Sequence, residues 1–147
     1  MAAWRWRNVP LPEPHLVGLG TGIALDVIVG GRLFSAAWVG HASGWPLVAA
    51  GIGLAAWAVA AAGPVDLERP GTVVASGPYA WTRNPMYLGW SLLYVGVALI
   101  PNGPWPLVVM PLVLVWTHVQ VVREERALRD RLGPEYLTYA AHTRRYL

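Results

Sequence analysis

Four apolar segments, separated by polar or Gly/Pro-rich stretches, dominate the pattern of hydrophobic and polar positions along the chain. They run over residues 16–39, 45–62, 86–100 and 105–122. A helix that crosses the hydrocarbon core of a bilayer needs about 20 apolar residues, with tolerance for a few fewer. The pattern therefore predicts an all-α integral membrane protein, a single domain over residues 1–147 with about four transmembrane helices.

Two short uncharged stretches connect these segments in pairs. The sequence HASG, residues 41–44, is predicted to form the turn between the first and second segments. The sequence PNGP, residues 101–104, is predicted to form the turn between the third and fourth, because such Pro and Gly clusters break helices. The last two segments are therefore expected to form a helical hairpin, whose first helix is short unless it begins within residues 83–87.

The fourth segment has no helix breaker before Gly133 and Pro134, so one helix is predicted over about residues 105–132 and projects from the bilayer. One face of this helix carries residues at spacings of three and four: Leu114, His118, Val121, Glu125, Leu128 and Leu132. Glu125 is therefore predicted to face protein, and a surface ion pair with Arg129 is the alternative.

Beyond that break, residues 134–147 predict a short amphipathic helix that forms a cytoplasmic C-terminal extension. Tyr136, Tyr139 and His142 recur on it at three-residue spacing. Such a helix is expected either to cover the cytoplasmic loop or to lie on the membrane surface without any chemical role.

Composition supports a membrane protein and excludes several kinds of chemistry. Of the 147 residues, 55% are hydrophobic and 13% are charged, whereas soluble domains are about 25% charged. The chain has no cysteine, which excludes disulfides and thiolate catalysis. All eleven basic residues are arginines, and most flank the apolar segments, which membrane topology explains better than a nucleic-acid partner does. The four histidines lack the spacing of metal ligands, so no metal site is predicted.

The arginines fall mainly on one side of the predicted spans: Arg5, Arg7, Arg69, Arg83 and the six from Arg123 onward. The positive-inside rule then places both termini and the loop over residues 64–85 in the cytoplasm of a multi-pass protein of the cell (plasma or inner) membrane. Arg32, near the outer end of the first segment, is the exception and is expected to snorkel. Asp26 is costly in lipid and predicts an inward-facing polar contact, in a substrate pocket or in helix packing.

The stretch VASGPYAWTRNPMYLG, residues 74–89, resembles the signature of the isoprenylcysteine carboxyl methyltransferase and phospholipid methyltransferase superfamily. That signature is a G-x-Y turn followed by R-H-P-x-Y-x-G at the entry to a membrane helix. A second stretch, Glu124-Glu125 followed by LGPEY at residues 132–136 and by Tyr139, is similar to the second block of the same superfamily. The two blocks stand in the order that the superfamily has, and the resemblance covers the chain from Gly71 onward.

This resemblance implies S-adenosylmethionine as the methyl donor, with S-adenosylhomocysteine as the product. It implies a cytoplasmic cofactor region made of residues 71–90 and 123–147. The implied cofactor-binding residues are Gly77, Pro78, Tyr79, Arg83, Asn84, Pro85, Met86, Tyr87, Leu88, Gly89, Glu124 and Glu125. Arg83 and Glu125 are the implied catalytic residues. The candidate substrate residues are Tyr136, Tyr139, His142 and Arg145.

The residue types at these positions suit that cofactor. Arg83 offers a planar fork for a carboxylate of cofactor or substrate. Glu125 can pair with an ammonium or accept hydrogen bonds from ribose hydroxyls. Tyr79, Trp81 and Tyr87 suit an adenine slot or a cation–π contact with a sulfonium. The alternatives are that Arg83 is a topological anchor and that the aromatic residues form an interfacial belt.

Two positions depart from the superfamily pattern. Asn84 stands where the signature has histidine, which alters a hydrogen bond on the cofactor side. His142 stands where many members, including the prenylcysteine enzymes, have arginine. The second departure counts against recognition of a carboxylate of the prenylcysteine type.

The resemblance implies a membrane methyltransferase that O- or N-methylates a lipophilic small molecule or lipid-linked acceptor, which enters from the bilayer. Two other functions are compatible with the sequence. One is an NADPH-dependent membrane reductase of the sterol type, for which Arg126, Arg129 and Arg131 supply a basic cluster for a 2′-phosphate. The other is a non-enzymatic four-helix membrane protein, whose arginines serve topology alone.

Overall fold

The structure, a computed structural model, describes residues 12–67 and 69–147. The helices of this part are α1 Glu13–Val29, α2 Ala37–Ala62, α3 Pro85–Leu99, α4 Trp105–Leu132 and α5 Pro134–His142, with a 3₁₀ turn at Gly77–Ala80. No strand is present in these residues, so the all-α prediction is confirmed. Arg5 and Arg7, which the charge argument places in the cytoplasm, lie outside the described residues.

The predicted limits of the last three helices agree closely with the structure. Pro85 is the first residue of α3, where its missing N–H costs no hydrogen bond, so the helix begins within residues 83–87 as expected. The projecting helix α4 ends at Leu132 because Gly133 takes a positive φ of 52°. Pro134 then starts α5.

The predicted boundary between the first two helices is wrong. Residues 41–44 lie inside α2, and the break instead covers residues 30–36. Gly30 and Gly31 end α1 because they adopt φ values of 75° and 131°, a region that side chains with a Cβ rarely enter. The glycine of HASG serves helix packing, since a Cβ on Gly44 would lie 2.7 Å from the carbonyl oxygen of Gly96.

Helices α2 and α3 pack closely and antiparallel through glycines spaced seven residues apart. Gly44 lies against Gly96, and Gly51 lies against Gly89. The absence of side chains at these four positions brings the two backbones together, as in other small-residue helix interfaces. The signature turn, here residues 77–84, leads directly into α3. The contact between α2 and α3 therefore fixes this turn relative to α2.

Helix α1 packs mainly against α4. Gly18 lies on Val113, and Gly22 lies on the backbone of Pro106, so these helices are antiparallel as well. The bundle thus consists of two helix pairs, α1 with α4 and α2 with α3, and contacts between the pairs are sparse. The short turn between α3 and α4 agrees with the predicted helical hairpin, although each of these helices packs mainly on another partner.

The ends of the two pairs that lie away from the signature turn are held together by polar side chains. Asn102, in the turn between α3 and α4, accepts the N–H of Phe34 at 2.8 Å and donates to its carbonyl at 2.9 Å. Asp26 accepts the N–H of Trp105, the first residue of α4, at 3.2 Å. Of the two roles considered for Asp26, the structure shows helix packing. Arg32 is exposed in the connection between α1 and α2.

The buried face of α4 differs in part from the predicted one. Val121 and Glu125 are buried as expected, but Leu114 and His118 are exposed. Val113 and Thr117 are buried instead, because the contact with Gly18 of α1 sets the rotation of the helix. By length and composition alone, α2 and α4 are the two described helices that could cross a membrane.

Candidate cofactor site

A cavity of about 910 Å³ lies at the end of the bundle where the two signature blocks meet. Its walls come from the loop before the signature turn, the turn itself, the end of α4 and helix α5. The lining residues are Leu67, Arg69, Pro70, Thr72, Val73, Val74, Tyr79, Arg83, Asn84, Pro85, Met86, Tyr87, Glu124, Glu125, Ala127, Leu128, Asp130, Arg131, Leu132, Tyr136 and Tyr139. The structure therefore brings ten of the residues predicted from the two blocks to one cavity.

The signature turn is held by the C-terminal segment that follows α5. The backbone N–H of Arg83 donates to the carbonyl of Arg144 at 2.8 Å, and Thr82 and Arg144 form an isolated β-bridge. The side chains of Thr82 and Asn84 both donate to the carbonyl of Arg145, at 3.1 and 3.0 Å. Residues distant in sequence thus fix the conformation of this turn.

The buried Glu125 lies at the centre of an ionic cluster with Arg83 and Arg145, whose side chains are 13% and 38% exposed. Arg83 donates to it twice, from Nε to Oε1 at 3.0 Å and from Nη2 to Oε2 at 3.3 Å. Arg145 contacts Oε2 through Nε at 3.0 Å and Nη2 at 2.9 Å. Asn84 donates from Nδ2 to Oε1 at 3.3 Å. The carboxylate is 6% exposed, so Glu125 faces protein and not Arg129 on the surface.

The arginines control the charge state of this carboxyl, which lies beyond the apolar segment of α4. Burial raises the pKa of Glu125, but hydrogen bonds from Arg145 and Arg83 and their positive charges outweigh burial, and the pKa lies below its usual value. Arg83 also donates from Nη1 to the carbonyls of Ala140 and Thr143, both at 2.8 Å. Its guanidinium therefore joins the signature turn to α4 and to the end of α5.

Glu124 stands in a different environment from its neighbour. It lines the cavity, remains accessible from it, and accepts a 2.6 Å hydrogen bond from the hydroxyl of Tyr87. Burial by the cavity walls raises the pKa of Glu124, and the Tyr87 hydrogen bond opposes this rise. Glu124 is consequently the carboxylate of the pair that is available to a bound molecule.

Helix α5 supplies an aromatic wall. Tyr136 is buried, and its hydroxyl has no hydrogen-bond partner. Tyr139 donates to the carbonyl of Tyr79 at 2.7 Å and so anchors α5 to the 3₁₀ turn. Burial raises the pKa of each of these three tyrosines, so all remain protonated donors at neutral pH. These contacts confirm that α5 covers the loop before α3, whereas the cytoplasmic position of this loop stays a prediction.

One wall of the cavity includes residues that the sequence analysis did not predict. Residues 69–74, here called the strap, run along it, and Glu135 of α5 holds them in place. Its Oε1 accepts the hydroxyl of Thr72 at 2.8 Å and the N–H of Val73 at 2.9 Å, and these bonds lower the pKa of Glu135. Leu67, Arg69 and Pro70 precede the predicted cofactor region, and no local motif marks them.

Several predicted residues lie away from the cavity lining. Gly89 packs against Gly51, and Gly77 lies against Trp57, so both serve contact with α2. Trp81 is exposed and stacks edge-on with Trp57 at 5.3 Å. His142 is exposed, and its Nδ1 lies 2.8 Å from the carbonyl of Thr138. Pro78, Leu88 and Arg145 are also outside the lining, although Arg145 reaches Glu125.

Within residues 12–67 and 69–147, no group of three or more histidines and carboxylates is arranged to hold a metal ion. The lining offers the accessible carboxylates of Glu124 and Asp130, several tyrosines and the ionic cluster around Glu125. Such a lining suits a polar organic molecule with both charged and aromatic parts.

Comparison with known proteins links this geometry to a family. A family model described as phospholipid methyltransferase matches residues 39–135. The protein-S-isoprenylcysteine O-methyltransferases of Mus musculus and Rattus norvegicus are each 39% identical to the chain over 70 residues, which is 46% of the chain. The match spans about a quarter of the length of these curated relatives, 24% in each case. No solved structure matches.

Proposed function

The chain belongs to the phospholipid methyltransferase family, and from this premise we propose that it is an integral membrane methyltransferase that uses S-adenosylmethionine. The observation that carries the proposal is the single cavity where residues of both signature blocks meet. Its volume of about 910 Å³ is at the upper end of the range of about 300–1,000 Å³ for small-molecule and cofactor sites.

The residues present fit this cofactor in charge and hydrogen bonding. Two guanidinium groups and one carboxylate give the Arg83–Glu125–Arg145 cluster a net charge of +1, which favours a ligand carboxylate beside it. Glu124 supplies an acceptor for an ammonium or for ribose hydroxyls. The unpartnered hydroxyl of Tyr136 supplies a donor, and an unpaired buried hydroxyl is unfavourable until a ligand meets it.

These roles refine those expected from the sequence. Arg83 and Glu125 are proposed to be positioning residues. They hydrogen-bond to each other and together hold the signature turn on α4. Glu124, Tyr79, Tyr87 and Tyr136 are proposed to contact the cofactor. Met86, Pro85 and Leu128 would provide its apolar surroundings.

The bound cofactor would supply an activated methyl group on a sulfonium. The acceptor's lone pair would form the new bond to the methyl carbon in line, and S-adenosylhomocysteine would leave as a neutral thioether with the electrons of the broken C–S bond. The protein then contributes mainly orientation and the exclusion of water, which suffice for an acceptor that needs no deprotonation. The strap and α5 enclose the cavity on the side away from the bundle. The tyrosines of the wall would stabilise the sulfonium if their electron-rich ring faces meet it.

We also propose that the four helices of the bundle, α1 to α4, cross the cell membrane, and that α5 and the cavity lie in the cytoplasm. Large apolar side chains on the outside of the bundle support this arrangement, since Val27, Trp38 and Leu112 are each at least 70% exposed. The arginines concentrate at the cavity end, as the positive-inside rule requires for a cytoplasmic site. The whole chain is then one membrane-embedded unit.

The acceptor is proposed to be a lipophilic small molecule or a lipid-linked group that reaches the site from the bilayer. Contact between the two helix pairs is sparse, and the boundary between them, here called the seam, is the proposed route of approach. The reductase alternative is less well supported, because Arg131 lines the cavity whereas Arg126 and Arg129 lie outside its lining.

Calorimetry on detergent-purified protein tests this proposal directly. S-adenosylhomocysteine should bind to the wild type and bind at least about ten-fold more weakly to Glu124→Gln, which removes a charge from the cavity wall. NADPH serves as the parallel ligand. Binding of NADPH alone would support a reductase, and a folded protein that binds neither ligand would overturn the proposal.

A further inference from the structure

A second group of polar side chains lies inside the bundle, one helical turn from the cavity. His15 of α1 and Thr117 of α4 are each 4% exposed. The Nε2 of His15 lies 3.1 Å from the hydroxyl of Ser91 on α3. Ser91 stands one turn after Tyr87, which lines the cavity, so the two levels are about 6 Å apart along α3.

The hydrogen bonds around Ser91 define the state of the imidazole. Ser91 has one hydroxyl hydrogen, which it donates to the carbonyl of Tyr87 at 2.8 Å. With that hydrogen directed at Tyr87, the Ser91 oxygen accepts from His15, which corresponds to the tautomer with a hydrogen on Nε2. A charged imidazolium inside the bundle would be costly, so the ring is neutral and Nδ1 carries a lone pair.

That lone pair and the hydroxyl of Thr117 are both buried without a partner. The two groups belong to the same level of the bundle. Gly18 meets Val113 across the α1–α4 interface, His15 lies one turn before Gly18, and Thr117 lies one turn after Val113 on the antiparallel helix. An acceptor nitrogen on α1 and a hydroxyl on α4 thus both remain unsatisfied at one level of the bundle, and each costs stability until a ligand pairs with it.

We infer that His15 and Thr117 form a subsite that binds a neutral hydroxyl group of the lipophilic acceptor. A hydroxyl donates to Nδ1 and accepts from Thr117, which satisfies both groups at once. The subsite holds no countercharge for a carboxylate or an ammonium within these contacts, so a neutral head group is selected. This inference rests on the proposed function, and it adds the chemical class of the acceptor.

The seam between the helix pairs gives such a molecule access. His15 belongs to the α1–α4 pair and Ser91 to the α2–α3 pair, so their hydrogen bond crosses the seam. The ring of Tyr94 stands edge-on to His15 at 6.1 Å and supplies an aromatic wall. A chain that enters between the pairs would place its polar end at this level, next to the cavity.

Nitrogen-15 NMR of histidine-labelled protein tests the subsite. The protein is held in dodecylphosphocholine micelles, which carry no hydroxyl group, and the Nδ1 signal of His15 is assigned with His15→Gln. The probes are 1-hexadecanol, hexadecanoate and hexadecylamine, which share one chain length. Only the alcohol should move the Nδ1 signal, while His41, His118 and His142 stay unchanged. An unmoved signal, or an equal response to the acid, would overturn the inference.

A variant pair separates ligand binding from a structural role. Thr117→Val should bind 1-hexadecanol about ten-fold more weakly through the lost hydrogen bond, yet unfold at a temperature no lower than the wild type, because an unpaired hydroxyl is removed. Thr21→Val, whose hydroxyl bonds only within α1, is the control and should bind the alcohol normally. Unchanged affinity in Thr117→Val would contradict the subsite.

S-adenosylhomocysteine binding measured in the same samples distinguishes this inference from the proposed function. Retained binding of S-adenosylhomocysteine with an unmoved His15 signal would overturn the subsite alone. A normal response to the alcohol in protein that does not bind S-adenosylhomocysteine would overturn the methyltransferase proposal alone. Specific alcohol binding together with S-adenosylhomocysteine binding supports both.

Discussion

Arg83 and Glu125, 42 residues apart in sequence, form a bidentate pair beneath the candidate cofactor cavity, with distances of 3.0 and 3.3 Å. Two further donors of the same guanidinium hold the end of α5. A lysine at this position keeps the positive charge but has no planar fork. The substitution Arg83→Lys therefore separates two roles of the arginine. A topological role needs only the positive charge, whereas a structural role in the site needs the planar fork.

Arg83→Lys should lower the free energy of unfolding by about 2–3 kcal/mol, since hydrogen bonds between charged groups are lost from a mostly buried position. Binding of S-adenosylhomocysteine should weaken at least about ten-fold because the signature turn loosens. Chemical unfolding in detergent and calorimetry measure the two effects. Arg123→Lys, at an exposed position of α4, is the matched control. Wild-type behaviour of Arg83→Lys would mean that Arg83 serves topology alone.

The adjacent glutamates should respond in opposite ways to the same substitution. Glu125→Gln leaves two arginines without a counterion and should cost about 3 kcal/mol of stability. Glu124→Gln should leave stability nearly unchanged and weaken ligand binding, because Glu124 faces the cavity. Melting temperature and calorimetry on both variants provide the comparison. A stable Glu125→Gln variant, or a strongly destabilised Glu124→Gln variant, would reverse the assignment.

Stability should fall with pH on the acidic side. The folded-state pKa of Glu125 lies below its unfolded value of 4.5, so its contribution to stability is fully present above pH 4.5. This contribution is lost as pH falls through the folded pKa. Melting temperatures from pH 6 down to pH 3 should therefore drop steeply in the wild type and less steeply in Glu125→Gln. Parallel curves for the two proteins would argue against the shift.

The strap should become mobile when its contact with α5 is removed. Glu135→Ala removes the acceptor for Thr72 and Val73. Amide hydrogen exchange across residues 69–74 should then be faster, since local opening governs exchange in such segments. Thr138→Ala, an exposed change on the same helix, should leave exchange unchanged. Equal protection in both variants would show that other contacts hold the strap.

Two glycines of α2 provide a matched pair for helix packing. A Cβ on Gly51 would lie 2.6 Å from the carbonyl oxygen of Gly89, so Gly51→Ala should destabilise the protein by about 1–3 kcal/mol. A Cβ on Gly53 meets nothing within 4 Å, so Gly53→Ala should be neutral or stabilise by about 0.5–1 kcal/mol. Thermal unfolding compares them. Equal effects would contradict the close α2–α3 contact.

Much of the fold is predictable because its signals are local. Proline at the start of α3 and glycine at the end of α4 fix those helix ends through backbone geometry. The turn that was wrongly predicted at residues 41–44 shows the limit of local signals. Glycine is favourable in turns, but at Gly44 it serves contact with Gly96, and that partner lies 52 residues further along the chain.

The sequence indicated part of the cavity lining, but not which side chains pair with one another. The two signature blocks identify Arg83, Glu124 and Glu125 as residues of one region. Periodicity along α4 indicates that Glu125 faces inward, but it contains no information about which cations meet it. The pairing with Arg83 and Arg145 depends on three segments that converge only in the folded chain. For the same reason, nothing local marks Leu67, Arg69 and Pro70 as cavity residues.

The hydrogen bond between Asp26 and Trp105 has a consequence for biosynthesis. Asp26 is synthesised 79 residues before Trp105, whose backbone N–H donates a hydrogen bond to it. Until the ribosome has produced the start of α4, the carboxylate of α1 has no N–H at that position to meet. The first helix therefore reaches its final partner only after the other two have been made. If the four helices cross the membrane as proposed, α1 must enter it before the hydrogen-bond partner of its acidic side chain has been made.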